Sequence, residues 1–299
     1  MGKGIVEKIL GRIKRKIFVE KWVMALKIGE DSWKILDSKL YQWEADPFLI
    51  KEAGKYYVFY ENLKLGGKGG TLYVGEIDRE KMEVKEKREI LRESYHLSYP
   101  NVFKVDGKYY MIPESHKAGK LLLYEAEEFP YRWKVKRVLM DNLKCVDFTF
   151  FKMDNIYYCF FSPEVVGQNS CGNPYSGSLE CYYTEDIIAG ELRPLKEKIV
   201  SQSPETSRMG GNFIFQGEEI YRLSQDCRYL YGETLNVHRV ISVSPEKYQE
   251  EFIRKLKKPE NALGMHTYTR VEDMEIIDLY IEKNIFKPLK KILNFRLDL

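Results

Sequence analysis

The chain has 299 residues, 44% apolar and 14% aromatic, with five cysteines and a formal charge of +3. That apolar content is enough for one sizeable core, and a charge so near balance gives no argument for a nucleic-acid partner. Cys145, Cys159, Cys171, Cys181 and Cys227 are an odd number without paired or metal-ligand spacing. They read as free thiols in a reducing compartment rather than a disulfide framework or a zinc site.

Residues 1–20 open the chain differently from the rest. Ile5, Ile9, Ile13 and Ile17 recur every four positions with Leu10 and Phe18, among Lys3, Lys8, Arg12, Lys14, Arg15 and Lys16. This spacing predicts a basic amphipathic helix, lying either on an anionic membrane surface or across the folded domain. No stretch approaches the ~20 apolar residues of a membrane span. The N-terminus also lacks an apolar signal core followed by a small-residue cleavage site. The expected address is therefore cytoplasmic, with peripheral contact at the inner face of the membrane through residues 1–20. Residues 283–299 form a second basic segment.

Between these ends, residues 21–282 read as one domain. Lys21 to Ile28, a turn at Gly29-Glu30-Asp31 and Ser32 to Leu36 form a hairpin with no strands before it. A paired motif then repeats five times: a short apolar strand, a turn and a second strand centred on aromatics. Tyr57, Tyr110, Tyr158, Tyr221 and Ile277 mark the second strands, and eleven positions before them stand Asp46, Tyr99, Asp147, Gly210 and His266. These starts are 53, 48, 63 and 56 residues apart, the period of propeller blades rather than helical repeats. The fifth repeat has no outer pair and the opening hairpin no inner pair, so the hairpin is expected to complete the last blade and protect the sheet edges. The fold class is all-β, a five-bladed β-propeller. Ser162 to Ser178 reads as one long polar insertion, and residues 245–258 as a short helix with Tyr248, Phe252 and Leu256 on one face.

A propeller brings equivalent strand ends to one central mouth. The starts of the inner strands supply Asp46, Tyr99, Asp147, Gly210 and His266. The ends of the second strands supply Glu61, Glu114, Ser162 and Gln225 with Asp226. Carboxylates where strands converge are costly unless they are paired or have work to do. Paired carboxyls suit chemistry at an anomeric carbon, one protonating the leaving oxygen and one activating the incoming hydroxyl. Asp46 is assigned as base, Glu114 as acid and Asp147 as a group that tunes them. Glu61, His96, Tyr99, Arg208, Gln225, Asp226 and His266 are assigned to ligand binding, with Arg208 suited to a phosphate or carboxylate on the ligand. No cofactor or metal is expected.

Several motifs occur in a recognisable order: Trp43-x-Ala45-Asp46-Pro47-Phe48, His96-Leu97-Ser98-Tyr99-Pro100, Ile112-Pro113-Glu114-Ser115, Val146-Asp147, Gln225-Asp226-Cys227 with Tyr231-Gly232, and Gly264-x-His266-Thr267. Together they resemble the propeller domain at the N-terminus of plant glucosamine inositolphosphorylceramide transferase, and bacterial stand-alone relatives often encoded near polysaccharide-biosynthesis genes. The resemblance runs from about Lys21 to Asp278. More distantly, the domain is similar to the arabinanase, β-xylosidase and invertase glycoside hydrolases. In those enzymes an aspartate opening the first blade is base or nucleophile, one opening the third tunes pKa, and a glutamate is the acid. Asp46 and Asp147 match the two aspartates. Only Glu205 stands in the acid's fourth-blade place, and Phe148 replaces the usual proline after the third-blade aspartate. The resemblance implies a sugar or glycoconjugate ligand in polysaccharide or glycolipid biosynthesis. The protein is then either an enzyme of glycosyl transfer or hydrolysis, or a non-catalytic sugar-binding propeller that partners a glycosyltransferase. The sequence sets no oligomeric state.

Overall fold

The computed structural model describes residues 18–36, 38–64, 66–163 and 177–284. The chain begins with β1 (Phe18–Ile28) and β2 (Lys34–Ile35). Blade one follows as β3 (Gln42–Glu52), β4 (Lys55–Lys64), β5 (Thr71–Asp78) and β6 (Glu83–Leu91). Blade two is β7 (Ser98–Val105), β8 (Lys108–Glu114), β9 (Lys120–Glu128) and β10 (Arg132–Asp141). Blade three is β11 (Cys145–Met153), β12 (Ile156–Pro163), β13 (Leu179–Thr184) and β14 (Arg193–Ser201). Blade four is β15 (Ile214–Gln216), β16 (Glu219–Asp226), β17 (Thr234–Val243) and β18 (Tyr248–Lys255). Then come β19 (Ala262–Gly264), β20 (Tyr268–Val271) and β21 (Met274–Asn284).

Blade five is built from both ends of the described chain. Strand β21 pairs with β19 and β20 on one side and with β1 on the other, and β1 carries β2. The β1–β21 ladder runs unbroken from Phe18 opposite Asn284 to Ile28 opposite Met274. The opening hairpin thus closes a five-bladed propeller. Two expected boundaries move: β1 already begins at Phe18, so residues 18–20 are strand, and β21 runs to Asn284. Residues 1–17 of the expected helix, 285–299 of the tail and 164–176 of the insertion, with Cys171, lie outside the described residues.

Inner strands are apolar on both faces because each blade is sandwiched between two others. Val58, Phe59 and Tyr60 are consecutive on β4 and all fully buried. Outer strands face water on one side, and β6 and β18 are largely exposed. That explains the one misread element: residues 248–255 are strand β18, paired along β17, instead of a helix. Spacings of four put Tyr248, Phe252 and Leu256 on one side of a helix and equally on one face of a strand. An outer strand supplies no apolar alternation to separate the two.

In blades one to three the inner pair slips register at the same place: between Ala45 and Phe48, Ser98 and Asn101, and Val146 and Thr149. Asp46, Tyr99 and Asp147 occupy the slips with φ of 51°, 46° and 58°. Left-handed backbone is uncommon for such residues and costs about 1–3 kcal/mol each. A bulge re-aims a side chain, and here it brings each one onto another blade.

Candidate functional site: an acidic propeller mouth

The side chains that leave these bulges join each blade to the next. Asp46 Oδ2 accepts the Tyr99 backbone N–H at 3.2 Å, linking blades one and two. The Tyr99 hydroxyl lies 2.9 Å from the Thr149 hydroxyl in blade three and accepts the Gly211 N–H of blade four at 2.8 Å. Gly211 has φ of 113°, and a Cβ there would lie 1.9 Å from the Tyr268 carbonyl oxygen, so only glycine fits this seam. Asp147 receives Arg208 in a two-pronged pair, Nε to Oδ2 at 2.6 Å and Nη2 to Oδ1 at 2.9 Å. Gln225 Nε2 adds a bond to Asp147 Oδ2 at 3.2 Å. The Ser162 hydroxyl donates to the Ser207 carbonyl, and the Tyr268 N–H donates to the Gly210 carbonyl at 2.9 Å. Blade five closes on blade one where the Thr267 hydroxyl donates to Asp46 Oδ1 at 2.8 Å and Asp46 N–H donates to Asp278 Oδ2 at 2.9 Å.

His266 sits between two acids. Its Nε2 is 3.3 Å from Asp46 Oδ1, and its Nδ1 is 2.7 Å from Asp278 Oδ2, close but poorly aligned for a hydrogen bond. Burial alone would lower the imidazole's pKa, but the Asp278 and Asp46 charges outweigh it and hold the ring above its usual range. Burial raises the Asp46 carboxyl, with His266 pulling it down and Asp278 pushing it back up. Burial likewise pushes Asp147 up to about 6 against the pull of Arg208.

Glu61, Glu114, His96 and His116 form the blade-one and blade-two side of the mouth. His116 Nδ1 is 3.0 Å from Glu114 Oε1. Burial pushes the Glu114 carboxyl up, yet the His116 bond and the charges of Arg208 and His116 prevail and hold it below the usual range. Glu114, the expected acid, therefore sits where the carboxylate is favoured. Glu61 is the opposite case. Burial raises it, and Asp46, Glu114 and Asp278 all raise it further.

Most of the expected residues thus meet at one mouth: Asp46, Tyr99, Asp147, Arg208, Gln225, His266, Glu61, Glu114 and His96. Asp226 does not. Neighbouring strand residues point to opposite faces, so where Gln225 turns to the channel, Asp226 turns away to Arg228 at 2.9 Å and Lys255 at 2.7 Å. Glu205 also lies aside, paired with Arg228 at 2.9 Å. Four contributors were missed, His116 beside Glu114 being the first. Asp278 follows the fifth-repeat marker Ile277 by one position, which was the available signal. Tyr231 lies under the Arg208 guanidinium at 5.1 Å, and Trp22 packs on His266 with centroids 4.1 Å apart.

Asp46, His266 and Asp278 are the one group among the described residues with metal-ligand proximity. Asp278 Oδ1 already accepts the His266 and Thr267 N–H groups, and its Oδ2 accepts that of Asp46. Asp46 is similarly engaged, through the Tyr99 N–H and the Thr267 hydroxyl, and with no ion between them the two acids hold the imidazole above its usual range.

The fold and this mouth define a class, the five-bladed propeller with a buried acidic centre. Residues 37–285 match the family described as glucosamine inositolphosphorylceramide transferase 1, N-terminal, and the chain belongs to that family. A glucosamine inositolphosphorylceramide transferase 1 from Arabidopsis thaliana is 31% identical over 238 residues, 75% of this chain and 30% of that protein. The chain spans about a third of the length of the curated relatives it matches. Among solved structures, the GH62 α-L-arabinofuranosidase catalytic domain of Coprinopsis cinerea superposes with a TM-score of 0.57 at 11% identity, covering 88% of this chain and 96% of that one. The α-L-arabinanase of Cellvibrio cellulosa, complexed with arabinohexaose, gives 0.53 at 13% identity, covering 72% and 78%. At these identities the likeness is one of fold.

Proposed function

We propose that the mouth binds the sugar part of a glycosyl donor or acceptor and that the protein acts in glycolipid or polysaccharide assembly. The observation that carries this reading is the convergence of Asp46, Glu61, Glu114 and Asp147 from three blades, all buried, with Arg208 and three histidines. Apolar packing alone would place no carboxyl there. The family supports the biosynthetic setting, and the sugar-bound propellers of the same fold support the ligand class. Glycosyl transfer or hydrolysis would use Asp46 as the base, its raised carboxyl able to take a proton, with the Asp147–Arg208 pair setting the field around it. A non-catalytic sugar-binding module is the second reading. It is favoured by the fact that both oxygens of Asp46 and of Asp147 are already engaged by protein donors.

Isothermal titration with free sugars, oligosaccharides and nucleotide sugars tests the site, comparing wild type with Glu114→Gln. Binding at least tenfold weaker in the variant supports it, and affinity indifferent to Glu114 would sink it. Asp46→Asn separates the two readings: sugar release or transfer at the wild-type rate removes Asp46 from the chemistry.

The basic ends bear on where this happens. Phe18 pairs with Asn284, so β1 begins beside the end of β21, on the face where second strands end. The ends carry net charges of +5 and +3 against +3 for the whole chain, leaving the body at −5. Such an arrangement would hold the acidic mouth toward an anionic lipid surface, each lysine or arginine contributing on the order of 1 kcal/mol. Liposome co-sedimentation at low and high salt checks this, and equal pelleting of the chain without residues 1–17 would end the idea.

A further inference from the structure

Among the described residues, every acid of the mouth but Glu61 has a charged or chargeable partner within 3.3 Å. Asp147 has Arg208, Asp46 and Asp278 share His266, and Glu114 has His116. Glu61 has only His96, whose Nε2 stands 3.6 Å from Glu61 Oε1, beyond hydrogen-bond distance. That oxygen is buried and has no hydrogen-bond partner among the described residues.

The tautomer of His96 follows from its other nitrogen. The Gly70 N–H donates to His96 Nδ1 at 2.9 Å, so Nδ1 is bare and the ring proton sits on Nε2, facing Glu61. Burial keeps this imidazole below its usual pKa, hence neutral, despite the nearby Glu114 charge. Gly70 itself is a fit requirement, since a Cβ there would lie 2.4 Å from Glu61 Oε1 and 2.6 Å from the Leu97 carbonyl oxygen. The groups that act on Glu61 are thus Asp46 from its own blade, Glu114 from blade two and Asp278 from blade five, all acids, with neutral His96 on the rim. An ionised fourth carboxyl in that company would be uncompensated, and burial with the charges of Asp46, Glu114 and Asp278 raises its pKa well above the ordinary glutamate value.

We propose that Glu61 keeps its proton at neutral pH and is the proton donor of the mouth, its Oε1 held dry and unpartnered beside Gly70, with His96 as its positioning residue. This rests on the sugar-binding reading of the mouth. In transfer or hydrolysis the Glu61 proton passes to the glycosidic oxygen as the bond from that oxygen to the anomeric carbon breaks, and the electron pair stays on the leaving oxygen. Asp46 takes the proton of the incoming water or acceptor hydroxyl as its oxygen bonds to that carbon. Glu61 ends ionised and Asp46 protonated, and exchange with water resets both.

The protonation can be read without a substrate. Infrared difference spectra of the full chain, wild type against Glu61→Gln, should show a protonated-carboxyl band at pH 7 that the variant lacks. His96→Ala admits water to Oε1, so the pH at which the band disappears should fall toward the ordinary glutamate value. A Glu61 that is already ionised at pH 7 overturns the proposal, and an unmoved titration in His96→Ala removes the positioning role. Where sugar release or transfer is measured, Glu61→Gln should bind within about threefold of wild type and turn over at least a hundredfold slower, the scale of a lost general acid. Turnover at the wild-type rate overturns the donor role. A band present in a protein that binds no sugar instead refutes the reading of the mouth and leaves the protonation of Glu61 standing.

Discussion

Blade four encloses a second polar cluster, and its residue types are those of a hydrolase triad. Ser224 Oγ lies 2.9 Å from His238 Nε2, and His238 Nδ1 lies 3.4 Å from Glu250 Oε1. The mouth holds the same chemistry in looser form: carboxyls, histidines and an arginine. What separates them is how fully each group is satisfied. In blade four Ser224 also donates to the Glu205 carbonyl at 3.1 Å, so the shared proton rests on His238 Nε2 and points the wrong way for base catalysis. Arg222 grips Glu250 with two bonds, at 2.7 and 2.5 Å, and Tyr248 adds a third. Ser224 and Arg222 are wholly buried, beyond reach of any ligand. In the mouth Glu61 Oε1 is left over. A residue list cannot tell these two clusters apart, but an account of every donor and acceptor can.

Several measurements would break or sharpen this contrast. The largest effect is expected where both clusters rely on a buried arginine. Arg208→Leu and Arg222→Leu each strand a buried carboxylate and should cost about 3–5 kcal/mol in denaturant unfolding. A loss under 1 kcal/mol for Arg222→Leu would mean the blade-four network is no structural anchor.

Next is Tyr99→Phe, which removes the hydroxyl that serves both Thr149 and the Gly211 N–H, and should cost about 1–3 kcal/mol. Ser224→Ala should cost about 1–2 kcal/mol and leave sugar binding untouched. Glu61→Gln should keep stability near wild type and sugar affinity within about threefold, and lose turnover where sugar release or transfer is measured. Altered sugar affinity in Ser224→Ala would break the distinction between the clusters.

The clusters also oppose each other in pH dependence. His238 is pushed down to about 4 by burial and by Arg222, below the 6.5 of an unperturbed histidine. The unfolded chain then binds that proton more readily, so this group's stabilisation is lost as pH falls from about 6.5 to 4. Asp147, raised from 3.8 to about 6, binds its proton more tightly when folded. Its stabilisation is full below about pH 4 and is lost as pH rises through 6. Asp147→Asn should therefore lose stability more steeply than wild type on acidification from pH 6.5 to 4, and His238→Gln less steeply. Parallel curves for the two variants would contradict these environments.

Sequence alone determined the blade count, the closure by the opening hairpin, and the column Asp46, Tyr99, Asp147, Gly210 and His266. It could do so because strand length, turn position and apolar runs are local properties, repeated five times at a nearly constant offset. It failed on β18, where an outer strand loses the alternation that marks its neighbours. The environments within the mouth were decided by tertiary structure. Asp147 meets Arg208 across 61 residues, and Asp46 meets Asp278 across 232. Whether a carboxyl there is ionised depends on burial and on charges from other blades, which no local pattern encodes. Glu61 and Glu114 hold equivalent positions at the ends of two second strands. One was left among acids and the other beside His116, because the blades around them differ.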